Sequence, residues 1–164
     1  KIIFIGSGAE YDKSRDLKEI KEEDFGKNIP NDDYGFYKYL SSNYIENIDN
    51  AVNLRVFGIF GKYEDYDTRF ISNKICRIIF DLPVEMNQNS VFYFVSIEDL
   101  CRIVEYFIDN KAEHKFYNIG SEKHLEFLDI LKIIKKVSRK DFEIKIKNPG
   151  MNKEYTCDNS RLRE

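Results

Sequence analysis

The sequence lacks most of what would place it in a specialised class. Its three cysteines, Cys76, Cys101 and Cys157, are widely separated, and their number is odd. It has no Cys-x-x-Cys pair and no Cys/His spacing of the metal-binding kind. That argues against both a disulfide framework and a structural metal. Cys76 and Cys101 fall inside apolar helical patterns, where a reduced, buried thiol is expected. His114 and His124 sit in loop-like stretches and make poor ligands. No apolar run approaches membrane-spanning length, and no secretory signal pattern precedes the first strand. The net charge of -3 gives no electrostatic case for nucleic acid or an anionic membrane as partner. The densest basic run, Lys135-Lys136 with Arg139-Lys140, follows an apolar pattern and reads as the solvated end of a helix. Internal repeats and low-complexity segments are absent. These exclusions leave an ordinary globular domain of cytoplasmic type.

What is present fits that description. The chain has 164 residues, 42% hydrophobic and 34% charged. A domain of that size buries roughly 70% of its unfolded surface. It opens without a methionine, directly on Lys1-Ile2-Ile3-Phe4-Ile5-Gly6, a run suited to a buried parallel strand. It stops at Ser160-Arg161-Leu162-Arg163-Glu164, where a helix pattern has just begun. Both ends read as cut, so a fragment of a longer protein is expected.

Strand and helix patterns alternate. Strands are expected at 2–6, 52–57, 84–86, 91–95, 116–119, 142–146 and 155–157. Helices are expected at 34–48, 68–80, 97–108 and 125–137. Asp32 or Asp33 is placed to cap the first helix, with Phe36, Leu40, Tyr44, Ile45 and Ile48 as its apolar stripe. Phe70, Ile71, Ile75, Ile78 and Ile79 form the stripe of the second, and Pro83 bars its continuation. Ser96 and Asp99 form a capping box for the third. Residues 13–31 are charged and read as a surface loop or lid. The alternation specifies an α/β fold with a mostly parallel sheet.

One constellation points to chemistry. Tyr34 and Lys38 lie four apart at the head of a helix, on one face. An ammonium about 4 Å from a phenol favours the phenolate by roughly 4 kcal/mol at an effective dielectric of ~20. Such a pair suits a general acid/base beside a redox cofactor. With 11 tyrosines in the chain the spacing also arises by chance, so the neighbouring motifs carry the argument.

Those motifs resemble the extended short-chain dehydrogenases/reductases of the nucleotide-sugar epimerase/dehydratase branch, over nearly the whole chain. Four features carry the resemblance, in order. A strand ends in Ser7, followed by small residues and Tyr11. Pro30 leads into Tyr34-Gly35-Phe36-Tyr37-Lys38. Leu54-Arg55-Val56-Phe57-Gly58-Ile59-Phe60-Gly61 forms a strand-to-loop signature. Ile97-Glu98-Asp99-Leu100 precedes Phe116-Tyr117-Asn118-Ile119-Gly120-Ser121. The resemblance implies a partial Rossmann-like, mostly parallel sheet with a smaller C-terminal α/β substrate-binding region. Residues 1–66 would hold the catalytic part of the dinucleotide domain, and 67–164 mainly the substrate region.

The implied roles follow residue by residue. Tyr34 is the acid/base, and Lys38 favours its phenolate and bonds the nicotinamide ribose. Ser7 bonds the reacting sugar oxygen, and Phe57 borders the nicotinamide pocket. Gly58 and Arg69 are the implied substrate contacts, together with Ser7. NAD or NADP is the implied cofactor of the full-length protein and a nucleotide-sugar the implied partner. The helices at 34–48 and 97–108 are candidate packing surfaces for a homodimer.

Departures from the family pattern qualify this. The family often has Asn where Gly58 stands and Arg-Asp where Phe92-Tyr93 stand, the Arg holding a diphosphate. Arg69 is one replacement for that contact, and a plain surface residue is the other reading. The dehydratases' Asp-Glu pair is replaced by Gly8-Ala9, with Glu10 one position later, which disfavours 4,6-dehydration. No G-x-x-G-x-x-G turn occurs, so the phosphate cradle for NAD(P) is missing from these residues. A reductase of another carbonyl substrate, or a non-catalytic binding domain on the same fold, are the rival readings.

Overall fold

The computed structural model describes all residues, 1–164. Its spine is a parallel sheet of three strands in the order β1 (Ile2–Ser7), β3 (Ala51–Val56), β7 (Phe116–Ile119). The central strand, β3, is buried along its entire length. Register aligns Ser7 with Val56 and Val56 with Ile119. The carboxyl ends of all three strands therefore finish level, at the edge where open α/β sheets bind ligands.

Three apolar clusters hold the chain together. α3 (Ile97–Asp109) packs Leu100 and Phe107 against Val52, Leu54, Tyr117 and Ile119 of the sheet. Ser96 caps it by accepting from the Asp99 amide at 3.1 Å, and the Asp99 carboxylate takes the Ser96 hydroxyl at 2.8 Å. The second cluster joins Tyr11, Leu17, Ile20, Phe57, Tyr93 and Cys157. The third unites α2 (Phe70–Ile79), β5 (Val84–Met86), α4 (Phe127–Ser138) and β8 (Ile144–Ile146) around Ile78, Val84, Met86 and Leu131. Lys140 closes the end of α2 by donating to the carbonyls of Ile78 and Ile79. Two-residue strands β4 (Ile59–Phe60) and β6 (Val95–Ser96) pair in parallel and tie the end of β3 to α3.

Several sequence expectations need correction. The stretch 13–31 is not a plain loop. It contains β2 (Leu17–Ile20), which pairs in parallel with β9 (Tyr155–Cys157), and Leu17 is fully buried. Of 91–95 only Val95 belongs to a strand, while Val91 and Phe92 make isolated bridges. Cys101 is exposed and Cys76 half-buried, and the buried thiol is Cys157. Ile75 and Ile79 of the α2 stripe are exposed as well.

The largest correction concerns α1 (Asp33–Glu46), whose apolar stripe faces outward. Phe36, Leu40 and Tyr44 are exposed, Tyr44 by 72%. The side against the sheet is instead small and polar. Gly35 lets the helix approach so closely that a Cβ there would sit 2.9 Å from the Ala9 carbonyl oxygen. Ser42 donates to a Glu10 carboxylate oxygen at 2.6 Å. What lies beneath α1 explains the inversion.

Glu10 and Arg55 form an ion pair at 2.7 Å with both side chains wholly buried. Glu10 also accepts from the Ser7 amide at 2.7 Å. Arg55 donates to the Tyr11 hydroxyl at 3.1 Å and to Glu46, and lies 4.0 Å from the centre of the Phe25 ring. Tyr11 in turn donates to Asn118 at 2.7 Å, crossing to β7. Burial penalises the Arg55 charge, but the surrounding Tyr11, Glu10 and Glu46 outweigh it and hold its pKa up. A helix facing this network needs hydroxyls and little bulk, so its apolar residues fall outside.

Two expectations follow for stability. Arg55→Met leaves the Glu10 carboxylate buried and unpaired, which costs about 3–5 kcal/mol. Breaking the exposed Lys132–Asp129 pair costs under ~1 kcal/mol. Urea denaturation of both variants checks the contrast, and similar midpoints would contradict it. The second concerns Asp32, which caps α1 by accepting from the Gly35 amide at 3.1 Å and pairs with Lys13 at 3.0 Å. Burial opposes its ionisation, yet the Gly35 amide and Lys13 prevail and hold its carboxyl below the usual range. A depressed carboxyl stabilises the fold above the ordinary carboxylate pKa of about 4 and loses that contribution as pH falls through its folded value. The advantage of the parent over Asp32→Asn should thus shrink in acid melts as pH falls below about 4.

Candidate functional site

The site is built at the carboxyl end of β1. Ser7 is its last residue and begins a 3-10 turn, Gly8–Tyr11, in which its hydroxyl oxygen accepts from the Ala9 amide at 3.2 Å. The turn forms because Ser7 and Glu10 cap each other reciprocally, the carboxylate taking the Ser7 amide. The buried ion pair therefore sets the backbone from which the Ser7 hydroxyl projects.

Tyr34 lies in the first turn of α1, half-exposed, and Lys38 one turn on. The Lys38 ammonium donates to the Ile5 carbonyl at 2.9 Å and lies 6.0 Å from the centre of the Tyr34 ring. It is thus fixed against β1, two residues before Ser7. A second ammonium, that of Lys13, lies 5.5 Å from the same ring centre. Lys13 carried no signal of its own, since it opens a charged stretch just past Tyr11 and belongs to none of the motifs.

Tyr155 also reaches this point from β9. Its hydroxyl comes up against the turn that follows Ser7, where a Cβ on Gly8 would lie 2.6 Å from it. Burial pushes the Tyr155 phenol well up, with Ser7 as the first opposing influence, and the nearby Tyr34 adds to the rise. Its ring is held between Phe57 at 5.0 Å and Phe92 at 4.6 Å. The strand carrying Tyr155 was legible in the sequence, but nothing there tied it to Ser7.

The remaining expected residues divide. Phe57 is buried, in ring contact with Tyr155 and Tyr11, so it forms the floor between Ser7 and the network below. The Gly58 carbonyl already accepts from the Val95 amide at 2.8 Å. A Cβ on Gly58 would lie 2.3 Å from the Tyr93 carbonyl oxygen and 2.7 Å from the Phe92 ring, so main chain and ring together fill the space a side chain at 58 would need. Arg69 stands exposed just before α2, and its side chain makes no hydrogen bond or ion pair. The structure thus gathers Ser7, Tyr34, Lys38, Phe57 and Gly58 around one strand end, and Arg69 remains apart on the surface.

No group of His, Cys, Asp and Glu side chains is arranged to hold a metal, and no helix is long and apolar enough to cross a membrane.

The chain is 27% identical over 129 residues to an ADP-L-glycero-D-manno-heptose-6-epimerase of Brachyspira hyodysenteriae, covering 71% of this chain and 41% of that protein. A Cupriavidus pinatubonensis protein of the same name is 23% identical over 151 residues, 82% of this chain and 44% of its own length. The chain thus spans less than half the length of the curated relatives it matches. Among solved structures, the UDP-glucose 4-epimerase of Thermotoga maritima with UDP-glucose superimposes with a TM-score of 0.81 at 18% identity, covering 98% of this chain and 55% of that one. The UDP-glucuronic acid 4-epimerase of Bacillus cereus in complex with NAD gives a TM-score of 0.75 at 23% identity, covering 98% and 53%. Both likenesses establish the fold as the mostly parallel, Rossmann-like α/β type. The model of the NAD dependent epimerase/dehydratase family matches residues 1–120, and this chain belongs to that family.

Proposed function

We propose that these residues carry the acid/base half of an NAD(P)-dependent epimerase or reductase acting on a nucleotide-activated sugar. The observation that supports this most directly is that Lys38, one turn after Tyr34, is held on the Ile5 carbonyl of the strand that ends in Ser7. In this reading Tyr34 takes a proton from a sugar hydroxyl and returns it. Ser7 donates a hydrogen bond to the same sugar oxygen. Lys38 and Lys13 set two ammonium groups beside the Tyr34 ring. Lys38 has three donors and spends one on the Ile5 carbonyl, so two remain for a ribose. Phe57 walls the pocket from below and Gly58 borders the substrate, whereas Arg69 stands too far off on the surface to keep the expected substrate contact. Residues 1–66 serve the dinucleotide side and 67–164 mainly the substrate side.

The fit to a nicotinamide cofactor differs at its two ends. Tyr34 and Lys38 are exposed where a nicotinamide ribose would lie, and both have hydrogen-bonding capacity to spare. At the phosphate end no glycine-rich turn exists in these residues. NAD(P), when bound, supplies hydride acceptance and return at the sugar carbon. The names of the curated relatives favour a nucleotide-sugar substrate. Reduction of another carbonyl compound is the second reading, favoured by the Phe92 ring in the space beside Gly58.

Two outcomes are expected. In the natural polypeptide that contains this chain, Tyr34→Phe should lower kcat by on the order of 10²–10⁴ with cofactor still bound. Equal turnover of mutant and parent on NAD(P)H with a panel of nucleotide-sugars would remove Tyr34 from the mechanism, and no turnover by either, with cofactor bound, would favour a binding domain. The 164 residues alone should bind NAD(P) weakly and turn over nothing. Calorimetry checks this, and a dissociation constant near or below roughly 1 μM would contradict it.

A further inference from the structure

Tyr34 carries the proposed proton exchange, yet the apolar core does not hold its ring. The ring is half-exposed, and none of the three apolar clusters includes it. A phenol that exchanges a proton must keep its oxygen within hydrogen-bond reach of the reacting hydroxyl. Something other than apolar packing therefore has to restrain the two torsions of this side chain. The structure sets ammonium groups beside the ring instead, Lys38 at 6.0 Å from its centre and Lys13 at 5.5 Å. An aromatic face attracts a cation at such distances.

Lys13 is anchored at both ends. Its backbone sits inside a tight turn, where the Arg15 amide donates to the Asp12 carbonyl at 3.3 Å and the Ser14 amide to the Asp12 carboxylate at 3.1 Å. Asp12 holds a φ of 66°, a left-handed conformation that aspartate tolerates. The Lys13 ammonium pairs with Asp32 Oδ1 at 3.0 Å, and the same oxygen accepts from the Gly35 amide at 3.1 Å. One carboxylate oxygen thus starts the helix that bears Tyr34 and holds a cation beside the Tyr34 ring. We propose that Lys13 is a positioning residue: from the turn that follows β1 it clamps the ring of Tyr34 and so fixes the direction in which the phenol oxygen is presented. Without Lys13 the ring keeps Lys38 alone and swings further into solvent. The inference rests on the proposed role of Tyr34, and its test separates the two.

The experiment is a double-mutant cycle in the natural polypeptide that contains these residues, assayed with NAD(P)H and a panel of nucleotide-sugars. Lys13→Met keeps most of the side chain and removes the charge, and thermal melts confirm that it folds. It should lower kcat by about 3- to 10-fold with KM little changed. Lys13→Arg should restore kcat, since a guanidinium also pairs with a carboxylate and stacks on a ring. Lys13→Met combined with Tyr34→Phe should be no slower than Tyr34→Phe alone. A fully active Lys13→Met, a further loss on top of Tyr34→Phe, or a raised KM with kcat unchanged would overturn the inference and leave the role of Tyr34 standing. A fully active Tyr34→Phe would remove both. Should no substrate turn over, aromatic NMR of the 164-residue chain labelled with ¹³C-tyrosine decides the matter, with Tyr34→Phe assigning the signal. The Tyr34 ring signals should move in Lys13→Met and return in Lys13→Arg, and signals indifferent to Lys13→Met would refute the contact.

Discussion

The Glu10–Arg55 ion pair is the constraint from which the rest of this structure is arranged. Both charges are removed from water, a cost that is offset only if every remaining donor and acceptor is matched. The chain supplies partners for the pair from four places: the Ser7 amide, Ser42 of α1, Tyr11 of the turn and Glu46 near the helix end. Matching these groups fixes how α1 lies on the sheet, and that in turn places Tyr34 and Lys38. Site geometry and core electrostatics are thus one arrangement. A substitution deep beneath α1 is felt at the strand end, because the same carboxylate holds the Ser7 amide.

The aromatic residues form a second, softer layer over this rigid base. Tyr11, Phe57, Tyr155, Phe92 and Phe127 follow one another in ring contact from the ion pair toward α4. Aromatic pairs contribute about 0.5–1.5 kcal/mol each beyond their buried area, and their geometry restricts how rings slide. Tyr93 departs from this row toward His124, and burial, ahead of the nearby Glu19, raises its phenol to about 12.

Much of the fold was legible where the pattern is local. β3 and α3 announce themselves through continuous burial and helical spacing, and Ser96 marks its cap. β2 was illegible, because Leu17 and Ile20 are isolated among charges and become a strand only by pairing with the distant β9. The stripe on α1 was legible and its direction was not. Spacing shows that Phe36, Leu40 and Tyr44 share a face, but the polar floor beneath the helix decides which face turns inward. Tyr34 and Lys38 could be found by spacing and resemblance. Tyr155 could not, since its relation to Ser7 exists only after the chain has closed on itself. Arg55 left one trace, a charge within an otherwise apolar strand.

The packing around Gly58 constrains how this sequence can change. A Cβ there would lie 2.3 Å from the Tyr93 carbonyl oxygen and 2.7 Å from the Phe92 ring. The nearer obstacle is main chain, which no substitution at 92 or 93 removes. Position 58 is therefore closed to single-step drift: a lineage that carries glycine there keeps it until the backbone at 93 has moved.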